Sequence, residues 1–99
     1  MDEQFSLYLE RSLSTNVVGD YISRCKRVER HEGNLDIHFK HDRGQSLIRK
    51  LTYTKEDEQN CREPLHSITF KGKKGYKSIY EGTASLRKAV NEYFKFKQI

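Results

Sequence analysis

Hydrophobic residues recur at three- and four-residue intervals in three stretches of the chain, and each stretch predicts an amphipathic helix. The first stretch covers residues 2–13, the second 15–30 and the third 83–94. The apolar faces of the three helices are expected to pack together into one core. Its predicted members are Phe5, Tyr8, Leu9, Val18, Tyr21, Ile22, Val28, Leu86, Val90, Tyr93 and Phe94.

Polar residues and glycine set the expected ends of these helices. Ser14 or Thr15 can cap the second helix, because a side-chain oxygen accepts a hydrogen bond from a free backbone N–H. Thr83 or Ser85 can cap the third helix in the same way. Gly33 suits the left-handed conformation that ends many helices, so the second helix is expected to stop there.

The residues between the second and third helices leave their secondary structure open. Residues 35–39 alternate like a short strand but also fit one helical turn, and residues 45–53 fit a short helix or one face of a strand. Residues 66–80 contain two glycines, four lysines and no acid, and they fit an ordered loop or a β-hairpin near residues 68–79. The predicted fold is mainly α, a single-domain bundle of four to five helices over residues 1–99.

Composition narrows the class of protein. With 99 residues, 34% of them hydrophobic and 33% charged, the chain can bury one small core beneath a heavily charged surface. The apolar runs are too short for a membrane span, and the acidic start of the chain is unlike a secretory signal. Cys25 lies on the apolar face of the second helix and is expected to be a reduced core thiol. We therefore expect a cytoplasmic protein that does not associate with membranes.

The net charge of +5 favours an anionic partner, and the positive charge is unevenly distributed. Residues 51–66 carry two basic and four acidic side chains, whereas the basic residues concentrate on the second helix, the lysine-rich stretch and the outer face of the third helix. These three regions predict a surface that contacts a nucleic-acid backbone. The candidate nucleic-acid-binding residues are Arg24, Lys26, Arg27, Arg30, Lys71, Lys73, Lys74, Tyr76, Lys77, Arg87, Lys88, Asn91 and Lys95.

Motifs for other chemistry are weak. His38-x-x-His41 is the nearest approach to a metal-ligand pair, but it lacks zinc-finger partners, and surface histidines are the simpler interpretation. Glu56-Asp57-Glu58 fits a solvated turn, and neither a nucleophile–base pair nor a phosphate loop is visible. We expect no metal, no cofactor and no catalytic activity.

Three phrases of the chain resemble the N-terminal core-binding, or SAM-like, domain of tyrosine recombinases and phage integrases. They are Phe5-x-x-Tyr8-Leu9-x-x-x-Leu13-Ser14, residues 15–28 with Tyr21 on the inner face, and residues 83–94 with Ala89 on the inner face. The resemblance implies a four-helix bundle that clamps one side of a DNA duplex. It implies DNA contacts by Arg24, Arg27, Lys88 and Asn91. The recombinase catalytic motifs have no counterpart here.

The function expected from charge and resemblance is non-catalytic binding of double-stranded DNA. Two basic helices and the lysine-rich loop would contact the phosphate backbone. The alternative is a protein-interaction module, an inhibitor or adaptor of phage or mobile-element type, whose basic face docks on an acidic protein surface.

Overall fold

A computed structural model of the chain describes residues 1–71 and 75–99, and its regular secondary structure is α-helical throughout those ranges. The predicted mainly α bundle is confirmed. The described residues form six helical segments, of which the fifth is only five residues long. They are α1 Gln4–Glu10, α2 Thr15–Glu32, α3 Leu35–Asp42, α4 Gln45–Lys50, α5 Lys55–Gln59 and α6 Tyr76–Lys97.

The long C-terminal helix α6 is the centre of the bundle, because each of the other five helices contacts it. Its inner face buries Leu86, Val90 and Tyr93, as the periodicity predicts. Phe5 of α1 packs edge-on against Tyr93, with ring centroids 4.9 Å apart. The predicted core members are all buried, except Tyr8 and Ile22, which are half-buried against the same cluster.

The basic helix α2 has the expected bounds. It starts at Thr15 after Ser14 in extended conformation, although the Ser14 side chain makes no capping bond. Its last residue is Glu32, and Gly33 follows as the cap with a φ of 95°, an angle that glycine adopts readily. Cys25 is buried on its inner face as a free thiol, and burial raises its pKa to about 12.

The ambiguous middle of the chain is helical. The Asn34 side chain accepts hydrogen bonds from Asp36 N and Ile37 N, a cap that favours helix over strand for residues 35–39. Residues 45–50 form α4 after a left-handed Gly44, and α5 begins with a capping box between Thr54 and Asp57. Side-chain caps favour the helix at α3 and α5, whereas α4 begins after Gly44 without a side-chain cap.

The last helix starts earlier than predicted. The assignment of Thr83 or Ser85 as its cap is wrong, because α6 begins at Tyr76 and Thr83 lies buried two turns inside it. The β-hairpin interpretation is also wrong for the described residues, since 76–79 form the first helical turn and 68–71 contain no strand. Gly82 lies inside α6, and the ring of Phe70 fills the space beside it, so this glycine allows close packing within a helix.

The C-terminal half of α6 is joined to the segment before α1 and to α3 by a polar network. The Tyr93 hydroxyl accepts from Asp2 N at 2.7 Å and donates to the Asp36 carboxylate. Partial burial raises the pKa of Asp36, but the Tyr93 hydrogen bond and the Lys97 charge outweigh it and hold that pKa below the ordinary 3.8. Within the described ranges, no helix combines the length and apolar character needed to cross a membrane.

Candidate nucleic-acid interface

The site begins with an irregular segment, residues 66–71, that leads from the end of the α5 region toward α6. His66 anchors it. The imidazole is only 5% exposed, and its Nε2 lies 2.8 Å from the hydroxyl oxygen of Thr83 on α6. Its Nδ1 accepts from Ile68 N at 3.1 Å, so the ring is the neutral tautomer with Nε2 donating to Thr83.

The same segment is anchored to α2 through Glu32. Ser67 donates to the Glu32 carboxylate from its backbone N at 2.9 Å and from its hydroxyl at 2.7 Å, and Lys50 lies 3.3 Å from the other carboxylate oxygen. Partial burial raises the pKa of Glu32, but these hydrogen bonds outweigh it and lower the pKa below its ordinary value of 4.5. Residues 66–71 are thus joined to both long helices.

Arg27 and Phe70 complete the anchoring. The Arg27 guanidinium donates to the carbonyl oxygen of Thr69 and lies over the Phe70 ring, 4.9 Å from its centroid. Phe70 rests against Gly82 of α6, where a side chain of any size would overlap the ring. Arg27 therefore holds the irregular segment against α2.

A groove of about 750 Å³ lies between the anchored segment, α2 and the first half of α6. We call it the basic groove. Arg27 and His31 line it from α2, Lys71 from the irregular segment and Glu81 from α6. Glu81 lies 3.9 Å from Lys77, which offsets its negative charge. Cationic side chains that are over forty residues apart in sequence therefore line one concave surface.

The other predicted α2 residues lie on different sides of the helix. Arg24 is half-buried and does not line the basic groove, and its guanidinium lies 5.9 Å from the centroid of the Tyr21 ring. Arg30 is exposed. Lys26 lines a separate groove that also contains Asp2, Glu3 and Glu29, where acidic neighbours disfavour a phosphate.

The predicted α6 residues are equally dispersed. Arg87, expected on the outer face, is half-buried and donates to the carbonyl of Leu51 at 3.3 Å. Asn91 and Lys95 line a groove beside α4 that shares no residue with the basic groove, and Lys88 is exposed. Arg27 and Asn91, which the recombinase resemblance places together near DNA, thus line different grooves.

Three further predicted residues belong to the lysine-rich stretch. Tyr76 starts α6, and its hydroxyl donates to Glu63 at 3.3 Å. Lys77 is exposed apart from its contact with Glu81. Lys73 and Lys74 lie outside the described residues.

A second groove, of about 370 Å³, lies on the other side of the irregular segment. We call it the apolar groove. Its apolar and aromatic lining residues are Pro64, Ile68, Phe70, Tyr76 and Ile79, with Glu63 at its edge. Thr69 and Phe70 line both grooves, so the segment is the wall between them.

The interpretation of the histidines as surface residues is wrong for two of them. His66 is buried, and His38 is half-buried, with Nε2 against the carbonyl of Glu32. His31 and His41 are exposed. Among residues 1–71 and 75–99, no three Cys, His, Asp or Glu side chains are arranged to hold a metal ion.

Sequence reasoning missed the residues that build the site. His66, Phe70, Thr83 and Gly82 do not belong to any charged pattern, and their roles depend on contacts across more than ten residues. One signal was available, since a helix that begins at Tyr76 places Ile79, Thr83, Leu86 and Val90 on a single apolar face.

We predict that His66 makes the stability of the protein depend on pH. Burial is the largest cause that lowers the pKa of His66 below the ordinary 6.5. The charges of Arg27 and His31 also lower this pKa, whereas the Glu32 carboxylate raises it by less than burial lowers it. Because the unfolded chain takes up the proton first, the stabilisation is complete above pH 6.5 and is lost as the pH falls through the lowered folded pKa.

Urea denaturation followed by circular dichroism between pH 5 and pH 7.5 measures this effect. The His66→Gln variant should lose most of the decline in unfolding free energy across that range, whereas His41→Gln, a substitution at an exposed site, should retain it. Equal declines in the wild type and His66→Gln would contradict the prediction.

No protein-family model matches the chain, and neither a curated protein nor a solved structure is significantly similar to it. The resemblance to recombinase core-binding domains therefore remains a prediction from the sequence, and the geometry of the two grooves is the basis for a functional proposal.

Proposed function

We propose that this protein is a non-catalytic DNA-binding module that contacts the phosphate backbone through the basic groove. The observation that carries the proposal is the convergence of Arg27, His31 and Lys71 on one concave surface between α2 and α6. Lys77 lies beside that surface, 3.9 Å from Glu81, and Arg24 is one helical turn before Arg27 on α2. Guanidinium and ammonium groups in a groove are the usual partners of phosphate oxygens, and they position a protein on DNA without reading its sequence.

The anchoring of residues 66–71 supports this function. An exposed lysine on a mobile loop loses side-chain and backbone entropy when it binds. Here the backbone before Lys71 is held by the bonds of Ser67, Thr69 and His66, so most of the backbone cost is met during folding. The groove is therefore preorganised for an extended anion.

Fluorescence anisotropy with a short labelled DNA duplex at several salt concentrations tests the proposal. We predict that the affinity of the wild type falls steeply with salt, and that Lys71→Ala weakens binding to all sequences alike and reduces the salt slope by about one unit. Lys40→Ala, at an exposed lysine of α3 that does not line the groove, is the matched control. The absence of binding at low salt, or equal slopes for the two variants, would refute the proposal.

A second candidate function is protein binding, which is favoured by an exposed apolar patch at the opposite end of α6. Leu7, 56% exposed, lines a groove with Tyr8 and Phe96, and its charged lining residues are Arg11, Lys97 and Asp2, which lies 3.8 Å from Lys97. An apolar patch with more basic than acidic neighbours suits a protein surface with apolar and acidic residues. Under this alternative, Leu7→Ser would abolish binding to the partner and leave the anisotropy titration with DNA unchanged.

A further inference from the structure

The shared wall between the two grooves points to the form of DNA that the module binds. We propose that the apolar groove holds an unpaired base while the basic groove holds the adjoining phosphates, so the preferred ligand is a DNA strand with at least one unpaired nucleotide. This inference rests on the proposed function, because it assigns the phosphates to the basic groove.

The lining of the apolar groove suits a base better than a phosphate. Phe70 and Tyr76 supply aromatic rings, and Ile68 and Ile79 supply aliphatic surface. Bases stack on such side chains irrespective of their identity. The Glu63 carboxylate, which accepts a hydrogen bond from the Tyr76 hydroxyl, also lines this groove. Its negative charge repels a phosphate but does not repel an uncharged base.

The arrangement of charge fixes the direction in which a nucleotide would lie. Lys71, Arg27 and His31 line the basic groove and the Tyr76 ring lines the apolar groove, while the Phe70 ring, over which Arg27 lies, belongs to both. A nucleotide has the same division, with an anionic backbone at one end and an uncharged planar base at the other. Thr69 and Phe70 belong to both linings, so a single nucleotide can reach both grooves.

A base-paired strand can use only half of this surface. In a duplex the faces of the bases are covered by their neighbours, and exposing one costs unstacking and unpairing energy. A blunt duplex is therefore expected to bind through the basic groove alone, whereas a single strand, a gap or a fork offers an unpaired base without that cost.

The test compares three labelled ligands by anisotropy at one salt concentration: a short single strand, a strand of the same length whose bases are replaced by abasic sites, and the blunt duplex. We expect the wild type to bind the single strand at least about fivefold more tightly than the abasic strand, since a base stacked on an aromatic ring is worth that much or more. Tyr76→Ala should abolish most of this difference.

Two controls keep the test specific. Tyr76→Phe removes the hydroxyl bonded to Glu63 but keeps the ring, so it should retain the preference for the single strand. Ile37→Ser alters an apolar residue of α3 that is 69% exposed and lines neither groove, so this variant should also retain the preference for the single strand. Thermal unfolding of each variant verifies that the fold is intact.

The outcomes separate the two proposals. Equal affinity for the strand with bases and the abasic strand, with duplex binding preserved, would overturn the assignment of the apolar groove and leave the proposed function standing. A preference that survives Tyr76→Ala would also overturn it. No binding to any of the three ligands at low salt would refute both, and a groove that serves a protein segment would show no dependence on the bases.

Discussion

Gly44→Ala is expected to lower the free energy of unfolding by about 2–5 kcal/mol, combining the cost of a left-handed alanine with that of overpacking a core. Gly44 links α3 to α4 with a φ of 79°, and an added Cβ would overlap the ring of Phe94. Phe94 is only 4% exposed and packs against Phe39, with ring centroids 5.9 Å apart. The ring therefore has little room to move, and both penalties apply together.

Urea denaturation of the single variant and of the pair with Phe94→Leu separates the two contributions. Leucine in place of the ring makes room for the Cβ, so Gly44→Ala should cost less in the Phe94→Leu background than in the wild type. A cost below about 0.5 kcal/mol for Gly44→Ala alone, the range of ordinary surface substitutions, would contradict the prediction.

Helical periodicity predicted the core well because the helices that form it are long. In α2 and α6 the apolar residues recur over several turns, and Val18, Tyr21, Val90 and Tyr93 are buried as expected. Shorter elements could not be assigned in this way. Residues 35–39 fit a strand and a helix equally, and the structure resolves the choice through the cap that Asn34 supplies.

The start of α6 was predicted wrongly because local signals at glycine and threonine were given more weight than the apolar spacing that begins at Ile79. Gly75 and Gly82 both lower helix propensity, and Thr83 offers a cap. The helix nevertheless continues through residues 76–83, since Phe70 packs on Gly82 and His66 bonds to Thr83. Contacts of this kind join residues more than ten positions apart, which no local pattern contains.

The candidate site was predictable in its chemistry but not in its layout. The sequence indicated a basic surface on this protein for an anionic partner, and Arg27 and Lys71 do line one groove. It also grouped Lys26 and Arg87 with them, whereas Lys26 lies among acids near the N-terminus and Arg87 bonds to Leu51. The sequence shows which residues are basic, but the groove that each basic residue lines depends on how the helices pack.

Gly82→Ala and Gly19→Ala form a matched pair whose effects on stability should have opposite signs. Both glycines lie inside long helices, where replacing glycine by alanine gains about 0.5–1 kcal/mol from helix propensity. An added Cβ at residue 19 has no atom within 4 Å, so that gain should appear in full. At residue 82 the Cβ overlaps the Phe70 ring, and overpacking of this kind costs about 1–3 kcal/mol.

The pair also tests how the 66–71 segment supports binding. Displacing Phe70 removes the ring beneath the Arg27 guanidinium and disturbs the wall shared by the two grooves. We therefore expect Gly82→Ala to weaken DNA binding in the anisotropy titration, and Gly19→Ala to bind as the wild type does. Urea denaturation of the same preparations gives the stability of each variant. If Gly82→Ala were as stabilising as Gly19→Ala, the ring of Phe70 would not be held against α6. That result would contradict the proposal that residues 66–71 are fixed in place for DNA binding.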